Sequence, residues 1–147
     1  IENHASDSFN DSLNNDYTDV ENSILFSDQN EHTLKEFRVD SFNDIKSIRK
    51  KNPDRLIIAQ ININSLRNKF ESLLEVVNDN IDILLVSETK IDSSFPNAQF
   101  HIVGYTIYRL DRNIYGGGLL LYVKDDIPSS MLNINTPLEG FCIEINT

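Results

Sequence analysis

The chain has 147 residues, 39% hydrophobic and 24% charged, a composition that bounds it at about one domain. A single cysteine, Cys142, excludes an internal disulfide framework and a cysteine-rich zinc site and fits a reducing, intracellular location; no run nears about 18 apolar residues and no basic-then-apolar start is visible, so neither a membrane span nor a secretory signal is read. The net charge of −10 argues against a nucleic-acid partner only until it is located: residues 1–34 carry eight acids and no Lys or Arg, while residues 35–147 carry fifteen acids and thirteen bases.

Residues 1–40 read as a disordered acidic leader, because their Asn, Ser and Asp content buries too little apolar surface to offset the entropy of ordering. Its Phe9, Leu13, Tyr17 and the trio Ile24, Leu25, Phe26 are either a short partner-binding motif or stray linker hydrophobes. Residues 41–53 read as a short helix and linker. In SFNDIKSIRKK, Ser41 and Asp44 make a capping pair, Phe42, Ile45 and Ile48 fall near one face, Lys50 and Lys51 suit a C-terminus, and Pro53 ends the element. The run Arg49-Lys50-Lys51 either touches phosphate or complements the helix dipole.

From residue 54 the pattern becomes regular. LIIAQIN (56–62) is an apolar run of strand length, and RNKFESLLEVVND (67–79) places Phe70, Leu73, Leu74 and Val77 at helical spacing. IDILLV (81–86) is a second buried strand. Strand, helix, strand predicts an α/β domain whose first two strands are parallel through a right-handed crossover. A loop with Pro96, a strand at GYTIYRL, a strand at GGGLLLYVK, a turn at DDIPSS and a last strand at FCIEI complete the chain, strands joined by loops rather than by further helices. Both ends are expected to be cut from a longer product.

Ligand chemistry in such sheets collects at the carboxyl ends of strands. Asn62 and Asn64 end the first strand and Glu88 follows the second. A carboxylate beside an amide oxygen is the hard-oxygen pairing that suits Mg²⁺, although a polar residue there is also an ordinary turn residue, and Asn64 or Ser65 is a candidate helix cap. Arg109 and Arg112 are either presented to phosphate or paired, one of them by Asp111. Gly116-Gly117-Gly118 lacks a Walker lysine and precedes a strand, so close backbone packing or a bulge is expected there. His4, His32 and His101 are too dispersed for a metal cluster.

The blocks QININSLRNKF, DILLVSETKID and GYTIYRLDRNIYGGGLLLYVK together resemble the endonuclease/exonuclease/phosphatase superfamily, and most closely the apurinic-type endonuclease domain of non-LTR (LINE-type) retrotransposons. The resemblance covers about residues 54–147. It implies a partial four-layer α/β/β/α sandwich, of which this chain supplies the N-terminal half. It further implies a divalent-metal-dependent endonuclease using Mg²⁺ (or Mn²⁺), with Asn62 and Glu88 as catalytic and metal-site residues and Asn64, Arg109 and Arg112 toward nucleic acid. DNA is the implied substrate, nicked for a reverse transcriptase downstream in the same polyprotein, in the nucleus and away from membranes. Many family members carry Asp-Gly or Arg-Gly where this chain has Asn64-Ser65, and the later Gly-Asp-x-Asn and Ser-Asp-His motifs are not in the sequence, so the chain alone is expected to be inactive. The alternatives are another phosphoesterase of the superfamily or a non-enzymatic, transposon-derived remnant.

Overall fold

The computed structural model describes residues 23–27, 34–38, 42–77, 80–135 and 137–146. In chain order these form β1 (Ser23–Ser27), β2 (Leu34–Arg38), α1 (Phe42–Lys51), β3 (Ile57–Asn62), α2 (Leu66–Val77) and β4 (Ile83–Ser87), then a 3-10 turn at Asn97–Phe100. β5 (Tyr105–Leu110), β6 (Leu119–Lys124), β7 (Ser129–Leu132) and β8 (Cys142–Ile145) follow. One six-stranded sheet has the order β2-β1-β3-β4-β6-β5, and β7 pairs β8 in a second, two-stranded sheet.

The expected strand–helix–strand unit is present: β3 and β4 pair in parallel, Ile58 opposite Ile83 and Asn62 opposite Ser87, with α2 as the crossover. The other neighbours in the large sheet are antiparallel. α2 forms because its apolar residues recur with the helical period. Leu73 and Val77 are buried, Phe70 and Leu74 pack against them, and Leu66 and Val76 widen the stripe beyond the positions read from sequence. Ile45 and Ile48 of α1 join the same core, while Ser41 of the expected capping pair lies outside the described residues. This core covers one face of the sheet through Ile57, Ala59, Leu84, Val86, Leu120 and Tyr122. Burying a side chain such as Leu73, 2% exposed, contributes on the order of 2 kcal/mol.

The alternate residues of the central strands face the other way. Ile83, Leu121 and Val123 are buried there, against Ile58, Tyr108 and, from the second sheet, Phe141, Ile143 and Ile145. The molecule is therefore mixed α/β, with helices on one face of the large sheet and β7–β8 on the other. Leu85, in register with Gln60 and Leu121, is 42% exposed, so the cover on this second face is partial.

Two elements were not expected. Within the segment read as a disordered leader, β1 and β2 form an antiparallel hairpin, and β1 extends the sheet by pairing Ile24, Leu25 and Phe26 with Ala59, Ile58 and Ile57. The leader's average polarity conceals a short strand-forming run, and β3 offers it unpaired backbone groups that favour a partner strand. The other residues of that leader lie outside the described residues. β7 replaces part of the turn expected at DDIPSS, because Pro128 ends the turn and the backbone beyond it pairs with β8.

A buried ion network closes the base of the sheet, opposite the strand ends discussed below. Asp82 accepts from Arg49, from Lys124 Nζ at 3.0 Å and from the Ile57 amide at 2.7 Å. Arg49 also donates to the carbonyls of Asn80 and Arg55. Of the basic run at the end of α1, Arg49 is thus committed to internal partners rather than open to phosphate. Burial pushes the Asp82 carboxyl up, but the hydrogen bonds from Arg49, Ile57 and Lys124, with the Arg49 charge, outweigh it and hold the group below the usual aspartate range.

Candidate metal and phosphate site at the strand ends

The parallel pairing of β3 and β4 delivers Asn62 and Glu88 to the same end of the sheet. Hydrogen bonds carry the pairing past the strands: the Ile63 amide donates to Ser87 O at 3.0 Å, Ser65 to Glu88 O at 2.9 Å and Leu66 to Thr89 O at 2.9 Å. The first residue of α2 is thereby satisfied by the exit of β4, as helix N-terminal amides require. On its other side the same exit is tied to the entry of β6, with Thr89 N donating to Gly118 O at 3.2 Å and Lys90 N to Gly117 O at 3.1 Å. Residues 88–90 are thus a central finger laced on both flanks.

The backbone here is strained. Asn64 (φ 45°), Ser65 (φ 92°), Glu88 (φ 55°) and Lys90 (φ 52°) are the non-glycine residues of positive φ among the described residues, and all four fall in this cluster. Each such conformation costs on the order of 1 kcal/mol or more and persists only where its surroundings over-determine it, a circumstance that concentrates at functional sites.

The Glu88 side chain is turned toward the entry of β6. Its Oε2 accepts from the Gly117 amide at 3.0 Å, which fixes the half-buried carboxylate and leaves the second oxygen for another ligand. Asn62 is exposed, and its Oδ1 accepts from the Asn64 amide at 3.2 Å, an Asx turn that holds the β3–α2 corner. Asn64 Oδ1 accepts from Lys90 Nζ, so its side chain bridges the two strand exits. Thr89, fully buried, has a hydroxyl with no hydrogen-bond partner.

The donor set fits a hard divalent cation of the kind that keeps most of its water. Were such a cation to bind, Glu88 would offer one carboxylate oxygen and Asn62 one amide oxygen, and Mg²⁺ or Mn²⁺ would complete its coordination with water and phosphate oxygens. Among the described residues no group of three or more His, Cys, Asp or Glu is gathered, so a cation here would depend on those non-protein ligands. His101 is exposed, and His4 and His32 lie outside the described residues.

The two arginines separate. Arg109 is spent internally: Nε and one Nη2 hydrogen reach Asp111 Oδ1 and Oδ2 at 3.1 and 2.7 Å, and Nη1 reaches Phe95 O and Asn97 Oδ1, both at 2.8 Å. The remaining Nη2 hydrogen reaches Asp92 O at 3.3 Å, so all five donors of the fork are engaged, on a side chain 10% exposed. Of the two readings of the Arg109–Asp111 pair, the ion pair is the one found, and Arg109 is not open to DNA. Arg112 is different, 61% exposed and paired at 3.6 Å with Glu139 Oε2.

Glu139 had no signal in the sequence, since it lies in the loop between β7 and β8 and reaches the site only through the fold. Its Oε1 accepts from the Gly118 amide at 2.7 Å. Gly117 (φ 71°) and Gly118 (φ 86°) are there for the close approach expected: a Cβ on Gly117 would collide with Arg112 and lie 2.9 Å from Glu139 Oε1, and one on Gly118 would collide with Thr89 Oγ1.

Comparison with known protein families and with curated proteins finds no match for this sequence. Among the described residues no helix is long and apolar enough to cross a membrane.

Proposed function

We propose that this unit is the N-terminal part of a divalent-metal-dependent phosphodiesterase that nicks DNA, in a four-layer α/β/β/α domain like that of the non-LTR retrotransposon endonucleases. The observation that carries the reading is Glu88: a carboxylate held on the Gly117 amide, in a left-handed backbone conformation, one residue past the pair Asn62–Ser87 at the carboxyl ends of two paired strands. The β7–β8 hairpin, packed on the second face of the large sheet through Phe141, Ile143 and Ile145, supports the layer arrangement as the beginning of a second sheet.

A divalent cation bound here supplies charge neutralisation at the scissile phosphate and at the leaving oxygen. Glu88 would hold it through the carboxylate oxygen that Gly117 leaves open. Asn62 fixes the β3 exit and offers its amide to the cation or to a phosphate oxygen, and the Asn64–Lys90 bridge keeps the two exits in register. Of the two arginines Arg112 is the exposed one, which favours it over Arg109 for contact with a phosphate. In the biological setting the nick exposes a 3′ end to a reverse transcriptase of the same polyprotein, which locates the reaction in the nucleus.

Supercoiled plasmid relaxation tests this. The chain extended by the residues that follow it in its gene should nick in Mg²⁺, with activity removed by chelator and by Glu88→Gln, while the 147-residue chain alone should not. Undiminished nicking by the extended Glu88→Gln protein would remove Glu88 from the site.

A further inference from the structure

Four consecutive backbone amides at the entry to β6 each end on a side-chain oxygen of an acidic or amide residue. Tyr115 N and Gly116 N donate to Asn113 Oδ1 at 2.9 and 3.1 Å, Gly117 N to Glu88 Oε2 at 3.0 Å, and Gly118 N to Glu139 Oε1 at 2.7 Å. The amides of Gly117 and Gly118, both residues of positive φ, are each turned to a different carboxylate, so this stretch of backbone presents N–H donors to anionic oxygens. The last position differs from the others. Asn113 holds its own turn and Glu88 belongs to a strand exit, but Glu139 arrives from a loop 21 residues further along the chain and meets there both an amide and the Arg112 guanidinium.

The geometry points to a phosphate subsite formed by the Gly118 amide and Arg112, which the Glu139 carboxylate occupies as an internal surrogate in the free protein. The inference deepens the proposed function by naming the groups that receive a substrate phosphate next to Glu88. A carboxylate on one backbone N–H and one arginine makes the contacts that two oxygens of a phosphate would make. Arg112 is kept over Gly117, where the absence of a Cβ leaves room for its Cδ and Nη1. The Arg112–Glu139 contact is solvent-exposed and 3.6 Å long, a pair of the kind that contributes little and is readily exchanged. To open the subsite a competing phosphate exchanges this ion pair and the 2.7 Å Gly118–Glu139 hydrogen bond for its own contacts. The subsite does not have the lysine or the helix of a Walker loop, and it works through backbone amides and an arginine instead.

The test needs neither metal nor catalysis, so its failure is separate from failure of the nuclease reading. Amide resonances of Gly117 and Gly118 are followed by NMR while inorganic phosphate, or thymidylyl-thymidine as a phosphodiester without a terminal phosphate, is titrated at constant ionic strength with chloride as the control anion. In Glu139→Ala the Gly118 amide should respond to phosphate at concentrations about tenfold lower than in the native chain, the loss of one charge-assisted competitor. Arg112→Ala in the same background should remove the response. A response to the dinucleotide assigns the subsite to a phosphodiester, and a response to inorganic phosphate alone assigns it to a terminal phosphate. No phosphate-specific shift at Gly118 in Glu139→Ala, or an equal shift in the double variant, overturns the proposal and leaves Glu139 as a loop tie. Resonance dispersion unchanged from the native chain shows that each variant is folded.

Discussion

Replacing Arg109 by alanine separates a structural clasp from a DNA contact more sharply than any other single change. The guanidinium joins the end of β5 to Asp111 and to the 92–97 segment through five hydrogen bonds, and its Cζ lies 6.0 Å from the centroid of the Phe100 ring. Asp111, 22% exposed, would lose its partner, and the carbonyls of Asp92 and Phe95 would lose donors. The five bonds do not add, because they belong to one group. The relevant scale is that of breaking a largely buried, hydrogen-bonded pair, about 3–5 kcal/mol. Against a total of roughly 5–15 kcal/mol for a domain this is a severe loss. Urea denaturation followed by circular dichroism should show a lower midpoint with an unchanged slope, and Arg109→Lys should recover only a minor part, since an ammonium cannot reproduce the planar fork. A loss below about 0.5 kcal/mol, the range of an ordinary surface substitution, would refute the clasp and return Arg109 to the residues open to phosphate.

Three further outcomes follow from the same geometry. Gly118→Ala places a Cβ on Thr89 Oγ1 at a φ of 86° and should cost about 2–4 kcal/mol in denaturant, with partial recovery in the Gly118→Ala/Thr89→Ala double variant, whereas additive losses would show that the collision is not the cause. Thr89→Val removes a buried hydroxyl that has no partner and should leave stability unchanged or raise it by about 1 kcal/mol, and a loss of more than that would reveal a bond the structure does not show. The Asp82 carboxyl titrates lower in the folded chain than its ordinary 3.8, so the unfolded chain takes up the proton first. Its contribution is complete above roughly pH 5 and fades as pH falls through 3.8 and then through the folded value, a decline that Asp82→Asn should abolish in thermal melts between about pH 5 and 2.

The parts of the fold legible in the sequence are those set by local periodicity. Phe70, Leu73, Leu74 and Val77 announce α2, and the runs around Ile57 and Ile83 announce a parallel pair, because those patterns depend on neighbours within a turn or two. β1 was hidden, since Ile24, Leu25 and Phe26 are flanked by polar residues and gain their strand by pairing with β2 on one side and with β3 on the other. Asp82 read as part of the strand IDILLV (81–86) with no role of its own, because its partners, Arg49 and Lys124, come from α1 and from the end of β6. The candidate site divides in the same way. Asn62 and Glu88 were visible as polar residues at strand ends, whereas the assignment of Arg109 to a clasp depends on the 92–97 loop and that of Glu139 on the β7–β8 loop. Long-range pairing of charged side chains leaves no local pattern to read.

The most direct test of the central claim asks whether Glu88 holds a divalent cation. Mn²⁺ added at substoichiometric levels to the isotope-labelled chain should broaden the resonances of Asn62, Glu88 and Gly117 before others, Mg²⁺ should reverse the effect by competition, and Glu88→Gln should abolish it while leaving the spectrum otherwise folded. Broadening that is unchanged in Glu88→Gln, or that centres on another part of the molecule, would contradict the assignment of the strand-end carboxylate to metal.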